Sequence, residues 1–160
     1  MEPFPASPEP EYRPESKGPA PTSVQNAVKL IWVGVALNLL STVITFALID
    51  DLVDDTLAAS GGSAALDEDA ARAAVIAGLV FGLVVSVALT ALFAYFIGKG
   101  ANWARIVYTV LGVIGILFSL LSLGGQPAVL LLLALVGLAL TIAVLVLLYR
   151  PESNAYFRKA

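Results

Sequence analysis

The sequence contains no cysteine and no histidine. Without cysteine, disulfide bonds, thiolate metal sites, a cysteine nucleophile and an S-acyl membrane anchor are all excluded. Without histidine, the commonest general base and the commonest metal ligand are missing. Charged residues are scarce as well, at 13% of the chain, against about a quarter in soluble domains. These absences remove most of the common catalytic and metal-binding chemistries, and no cofactor is expected.

Apolar residues, in contrast, make up 59% of the chain and are collected into long runs. Four runs approach or exceed the roughly 18–20 residues that cross a hydrocarbon core: 27–49, 73–97, 106–123 and 128–148. The short connections at 98–102 and 124–126 make the last three spans antiparallel neighbours. The predicted fold class is an all-α membrane protein, a four-transmembrane-helix up-down bundle over residues 22–150. The long segment 50–72 leaves the first span beside either the second or the fourth.

The two ends of the chain differ in character from the spans. Residues 1–21 hold seven of the nine prolines, which predicts a disordered cytoplasmic tail. The first span follows so much polar chain that it is expected to remain as a signal-anchor. Thr22 and Gln25 fit a capping box, with Thr22 as the N-cap. Residues 151–160 form a basic and aromatic tail, predicted to lie on the inner leaflet and to bind anionic lipid headgroups.

The basic residues predict the orientation. Arg72 falls on one side of the predicted membrane, and eight basic residues fall on the other: Arg13, Lys17, Lys29, Lys99, Arg105, Arg150, Arg158 and Lys159. Because cytoplasmic loops are enriched in Lys and Arg, this asymmetry places both termini in the cytoplasm.

An acidic run follows the first span. Asp50, Asp51, Asp54 and Asp55 include a DDxxD pattern, by which prenyl-transferring enzymes hold Mg²⁺ and a diphosphate. A solvated acidic helix end is the favoured interpretation, because those enzymes need a second acidic cluster across a large cavity, and four short helices provide no such cavity. We expect about one further helical turn there, with the carboxylates in water opposing the dipole of that helix end. Asp67, Glu68 and Asp69 are interpreted as the acidic N-terminus of the second span.

The spans themselves contain no carboxylate and no basic residue between the interfaces. Proton-coupled transporters usually need a titratable group at this depth. The central polar residue is Asn38, which is predicted to hydrogen-bond across helices. A passive polar path lined by Asn38, Ser86 and Thr90 is the alternative interpretation.

Small residues recur every fourth position along the second span. The predicted packing residues are this row, Asn38 and three further glycines: Asn38, Ala74, Gly78, Gly82, Ser86, Thr90, Ala94, Gly112, Gly115 and Gly137. Small residues allow the close backbone approach that drives helix association in lipid. Packing within the chain is the favoured interpretation, so that Gly82 would lie against a neighbouring helix. Homo-oligomerisation or docking of another membrane protein is the alternative.

Three stretches resemble a group of small four-helix membrane proteins of actinobacteria. They are Ser23 to Gly34, the segment Gly98-Lys99-Gly100-Ala101-Asn102-Trp103-Ala104-Arg105, and Glu152 to Phe157. The resemblance covers about Pro21 to Phe157. It implies the same topology and a bacterial plasma membrane, and it implies no activity.

Three functions remain open from the sequence. The leading hypothesis is a non-enzymatic accessory, packing or assembly subunit in the bilayer, with a membrane protein as partner and no nucleic acid. The second is a small transporter or channel with a polar path that does not titrate. The third is a metal-dependent lipid or prenyl transferase at Asp50–Asp55.

Overall fold

The chain folds as a helical membrane protein. The computed structural model describes residues 18–59, 67–122, 124 and 127–158, which form helices and no strand. The helices are α1 (Thr22–Ala47), α2 (Ile49–Ala59), α3 (Glu68–Gly98), α4 (Asn102–Leu121), α5 (Ala128–Leu148) and α6 (Pro151–Arg158). Within the described ranges, α1, α3, α4 and α5 are long and apolar enough to cross a membrane. The predicted four-span, all-α class is confirmed, whereas the predicted disorder of the N-terminal tail falls mostly outside the described residues.

The four long helices form a ring. α1 packs against both α3 and α5, and α4 packs against α3 and α5 on the other side. The sequence left α1 beside either the second or the fourth span, and it contacts both. The reason is geometric, since each helix in a ring of four has two neighbours. Successive long helices run in opposite directions, which gives the predicted up-down arrangement.

The buried side chains gather at the end of the ring where α1 begins and α5 ends. We call this group the terminal core, and its members come from five helices: Val24, Ala27, Ile31, Phe93, Ala94, Ile97, Ala104, Val144, Leu148 and Phe157. Among the described residues, only Val53 and Ala71 are buried apolar side chains outside it. The other large apolar side chains of the spans are exposed on the outside of the ring or toward its interior, as expected where lipid is the solvent.

Helix α6 completes the terminal core. Phe157 is only 2% exposed, and the Ser153 hydroxyl is fully buried, 2.8 Å from the Ser23 hydroxyl. The prediction of an interfacial aromatic anchor is therefore wrong for Phe157. Its ring loses more contact with water among the five helix ends than it would at the headgroups. The Arg158 side chain, in contrast, is exposed.

The start of α1 differs from the predicted capping box. Pro21 is the N-cap and Thr22 is already helical, with no side-chain cap. The Pro21 carbonyl accepts from the Gln25 backbone N–H at 3.0 Å, which places the helix start one residue earlier than predicted. The Gln25 side-chain amide does reach back, but it donates to the Ala20 carbonyl at 2.7 Å.

The acidic run forms its own helix. α1 ends at Leu48, where φ is −107° and ψ is 25°, and α2 then runs for 11 residues, not for the single turn predicted. Val53 explains the extra length, because it is buried where α2 packs against α3. Asp50 and Asp51 consequently lie in the first turn of a new helix, where carboxylates suit the dipole. The predicted opposition to a helix C-terminus is wrong for these two residues.

The start of α3 agrees with the prediction of an acidic helix N-terminus. The Asp67 carboxylate accepts from the Ala70 backbone N–H at 2.7 Å and so caps the helix. Glu68 and Asp69 occupy the first turn.

The small-residue row of α3 divides along its length. Ala94 lies in the terminal core, whereas Cβ atoms built on Gly78 and Gly82 would meet nothing within 4 Å. An i, i+4 row turns by about 40° at each step on a helix, so the row leaves the bundle as α3 proceeds away from the terminal core. The expectation that Gly82 lies against a neighbouring helix is therefore wrong for the single chain, and Ala74 is exposed as well.

Two other predicted packing glycines do lie at helix contacts. A Cβ on Gly112 would be 3.6 Å from the Thr141 methyl group and 3.7 Å from Leu145, between α4 and α5. A Cβ on Gly137 would be 3.6 Å from Leu37, between α5 and α1.

These positions give a test of the packing. Gly112→Leu should lower the free energy of unfolding by about 1–3 kcal/mol, because its outer carbons would overlap α5. Gly82→Leu should leave that free energy unchanged or slightly higher, since it adds side chain into open space. Thermal unfolding in mild detergent compares the two variants directly. An equal loss of stability in both variants would show that Gly82 of α3, like Gly112 of α4, lies against a neighbouring helix.

Candidate binding cavity between the four helices

A cavity of about 710 Å³ lies inside the ring of long helices. All four contribute to its wall, α1 from Leu30 to Thr45, α4 from Tyr108 to Ser119 and α5 from Leu130 to Val144. α3 contributes only the short stretch from Ser86 to Phe93. The volume falls within the range of roughly 300–1,000 Å³ that is typical of small-molecule sites.

The wall combines aliphatic side chains with a set of uncharged polar ones. The polar lining residues come from all four helices: Asn38, Ser41, Thr45, Ser86, Thr90, Tyr108, Ser119 and Thr141. No acidic or basic residue is among the described residues that line the cavity. The sequence offered Asn38, Ser86 and Thr90 as the lining of a polar path. All three line this cavity.

Some of the lining hydroxyls are already bonded to their own helices. Thr45 donates to the Ser41 carbonyl at 2.8 Å, and Thr141 donates to the Gly137 carbonyl at 2.9 Å. Such i−4 bonds satisfy the hydroxyl proton and leave an oxygen that can still accept. These threonines can therefore face hydrocarbon at little cost.

The other polar lining side chains have no such partner. Those of Asn38, Ser86 and Thr90, for example, make no hydrogen bond within the part of the chain that the structure describes, although the Asn38 carbonyl accepts from Thr42. The prediction that Asn38 bonds across helices is therefore wrong for this structure, because the Asn38 side chain lines the open cavity. A ligand in the cavity can supply these side chains with hydrogen-bond partners.

The terminal core closes one end of this cavity. Phe93 and Val144 belong to both the core and the cavity wall, so the wall passes directly into tightly packed side chains. Phe93 also contacts the Tyr108 ring edge-on, with centroids 6.1 Å apart. The terminal core therefore separates the cavity from the end of the bundle at which α1 begins and α5 ends.

Polar contacts fasten α6 over that closed end. Arg105 donates to the Asn154 side-chain oxygen at 2.7 Å, and its guanidinium lies 4.7 Å from the centroids of the Tyr149 and Phe157 rings. Tyr156 donates its hydroxyl proton to the Gly98 carbonyl at 3.1 Å. The sequence did not predict these contacts, because they join residues about fifty positions apart. The three stretches 23–34, 98–105 and 152–157 meet here.

The acidic residues lie apart from the cavity. Asp50, Asp51, Asp54 and Asp55 are exposed, and none of them lines it. Asp50 pairs with Arg72 at the surface, where such a contact contributes little to stability. Within the described residues, no three carboxylates come together in a geometry that could hold a metal ion.

Comparison with family models, with curated proteins and with solved structures gives no match. The function is therefore argued from the residues and the cavity themselves.

Proposed function

We propose that this integral membrane protein is a non-enzymatic carrier, which holds a small molecule without net charge in the cavity between its long helices. The observation that supports this proposal is the shared cavity of Asn38, Ser86 and Thr90. Of the three functions left open by the sequence, only the transporter required these side chains to face one another. The geometry therefore favours the second hypothesis over the accessory subunit.

The character of the wall argues for an uncharged cargo. A charged molecule in the membrane interior needs an opposite charge or a water-filled path, and the described lining offers no charged group. A carrier fits better than an open channel, because the terminal core fills one end of the cavity. Release on that side would require α6 and the helix ends to move.

The enzyme hypothesis has less support. A metal-dependent transferase would need the carboxylates of 50–55 and 67–69 around one cavity, and those carboxylates face solvent. The accessory hypothesis keeps one specific observation in its favour. Gly78 and Gly82 are open on the outside of α3, where a second membrane helix could approach closely.

Cysteine labelling tests the cavity, because the natural chain has no cysteine. Ser86→Cys in nanodiscs should react with N-ethylmaleimide, which is small and uncharged. Adding Gly115→Leu should slow that reaction at least about tenfold, or by ~1.4 kcal/mol. Gly115 lines the cavity, a Cβ there meets nothing within 4 Å, and it lies at about the depth of Ser86. Its leucine would therefore occupy the space beside the thiol.

Gly82→Leu is the matched control. It makes the same substitution on α3, at a position that does not line the cavity and has open space at its Cβ. It should leave the labelling rate of Ser86→Cys within about twofold of the parent, a difference of ~0.4 kcal/mol. Equal slowing by both leucines, or by neither, would contradict the proposed cavity.

We further propose that the membrane is a bacterial plasma membrane and that the terminal core faces the cytoplasm. Charge supports this orientation: at the terminal-core end lie Lys29, Lys99, Arg105, Arg150 and Arg158. Among the described basic residues, only Arg72 lies at the other end, together with the acidic residues of α2 and of the start of α3. The basic end is the one that would meet anionic headgroups of the inner leaflet.

Reporter fusions test the orientation. A periplasmic reporter fused after Gly62 should be active, and a cytoplasmic reporter at Gly100 or after Ala160 should be active. The positive-inside asymmetry is the physical reason. Periplasmic activity of a Gly100 fusion would reverse the assignment of sides.

A further inference from the structure

The cavity is long as well as large. Along α1 its wall runs from Leu30 to Thr45, which corresponds to roughly 22 Å at the helical rise of about 1.5 Å per residue. That length is most of a hydrocarbon core of about 30 Å. A compact solute would fill only part of such a space, whereas an extended molecule would fill its length.

The cavity wall is incomplete on one side. In the half beside the terminal core all four long helices line it, but α3 contributes nothing before Ser86. In the other half the wall consists of α1, α4 and α5. The earlier part of α3 is exposed there, with Phe81 at 72% and Val84 at 62% of their surfaces free. Because α3 is the neighbour of both α1 and α4, the side of the cavity that α3 leaves unlined lies between those two helices, at a depth where lipid is expected to surround the spans.

We infer that the cargo is a single-chain, uncharged amphiphile, such as a long-chain alcohol, which enters sideways from the bilayer through this gap. The inference rests on the proposed carrier function and gives it a substrate class. The aliphatic wall suits the hydrocarbon chain. The uncharged polar side chains along the wall, which include Ser41 and Ser119 toward the far end as well as Asn38, Ser86 and Thr90, suit a hydroxyl or amide head. A carboxylate or phosphate head would find no basic partner among the described lining residues.

Photolabelling of the full chain in phosphatidylcholine nanodiscs tests this inference. The probe is hexadecanol with a diazirine at the chain end, and mass spectrometry locates the adducts. We expect adducts on lining peptides of α1, α4 and α5, which excess oleyl alcohol removes. Gly115→Leu should reduce them at least about tenfold, or by ~1.4 kcal/mol, and Gly82→Leu should not. If Gly115→Leu fails to fold, Gly34→Leu serves instead, because Gly34 also lines the cavity with open space at its Cβ.

Two further arms separate the substrate class from the carrier function. The matching diazirine analogue of hexadecanoate should label the lining at least about tenfold less than the alcohol, again ~1.4 kcal/mol. Equal labelling by the acid would overturn the uncharged head.

Ser41→Cys should react slowly with a charged, membrane-impermeant thiosulfonate, compared with Asp54→Cys on the exposed face of α2. Equal rates would show an aqueous mouth and overturn sideways entry.

The outcomes distinguish the two proposals. If alcohol labelling is the same in Gly115→Leu and Gly82→Leu, the amphiphile contacts only the outside of the bundle and the inference fails. If maleimide labelling of Ser86→Cys still depends on Gly115→Leu, the cavity and the carrier proposal stand without it. If neither reaction depends on Gly115→Leu, both proposals fail together.

Discussion

Phe157→Ala should lower the free energy of unfolding by about 3–5 kcal/mol, the range observed when a buried phenylalanine is truncated. Phe157 is 2% exposed and packs where the ends of α1, α3, α4 and α5 converge. Its ring also supports the Arg105 guanidinium, which lies 4.7 Å from the ring centroid. Truncation to alanine would leave an empty space among the ends of the five helices that pack together here. Thermal or dodecyl-sulfate unfolding in detergent, followed by circular dichroism, measures the loss.

Phe81→Ala is the matched control for this variant. Phe81 is 72% exposed on the outside of α3, so its truncation should change the free energy of unfolding by no more than about 0.5 kcal/mol. A silent Phe157→Ala variant would show that α6 is not docked in solution. The C-terminal segment would then act as the interfacial anchor that the sequence suggested.

Gly100→Ala should lower the free energy of unfolding by about 2–3 kcal/mol. Gly100 has a φ of +76°, a conformation that L side chains rarely adopt. An added Cβ would also lie 2.7 Å from Cε1 of Tyr156, too close for contact. The Tyr156 ring would have to shift and would then lose its hydrogen bond to the Gly98 carbonyl. The cost therefore has a backbone part and a packing part.

Two controls separate these parts. Gly98→Ala lies two residues earlier without a positive φ, and its Cβ would meet only Val28, at 4.0 Å. It should change the free energy of unfolding by no more than about 0.5 kcal/mol. In a Tyr156→Ala background, Gly100→Ala should cost only the backbone part, about 1–2 kcal/mol. The same full cost in both backgrounds would show that the Tyr156 ring does not constrain the turn.

The terminal core and the cavity divide the bundle into two halves. At the terminal end, α6 fastens the helix ends through Tyr156, Ser153 and Asn154. Beyond it lies the cavity between the helices. The proposed carrier would need such a difference, because one end would hold the helices together while the other admits cargo. Variants of α6 should therefore affect stability first, whereas variants at Gly34 and Gly115 should affect the cavity without loosening the bundle.

The sequence by itself determined the fold class and which four segments form the long apolar helices. Continuous apolar runs about as long as the hydrocarbon core must be helical, because backbone groups find no other partners in lipid. The acidic cap at Asp67 followed from the same local reasoning, since the dipole and the free N–H groups of a helix start are local properties. Short connections fixed the antiparallel order of the last three spans.

The tertiary structure alone decided which polar and small residues face one another. Gly82 and Gly112 look alike in sequence, yet one faces open space and the other touches α5, because the rotation of each helix depends on all its neighbours. Asn38 was expected to bond across helices and instead lines a cavity. The distance from Asn38 to the other helices depends on how the whole bundle packs, and not on the residues near Asn38 in the sequence. The docking of α6 joins positions more than a hundred residues apart, such as Ser23 and Ser153. Local pattern predicts which segments are helices, but only the packing of the whole ring decides where its interior closes and where it stays open.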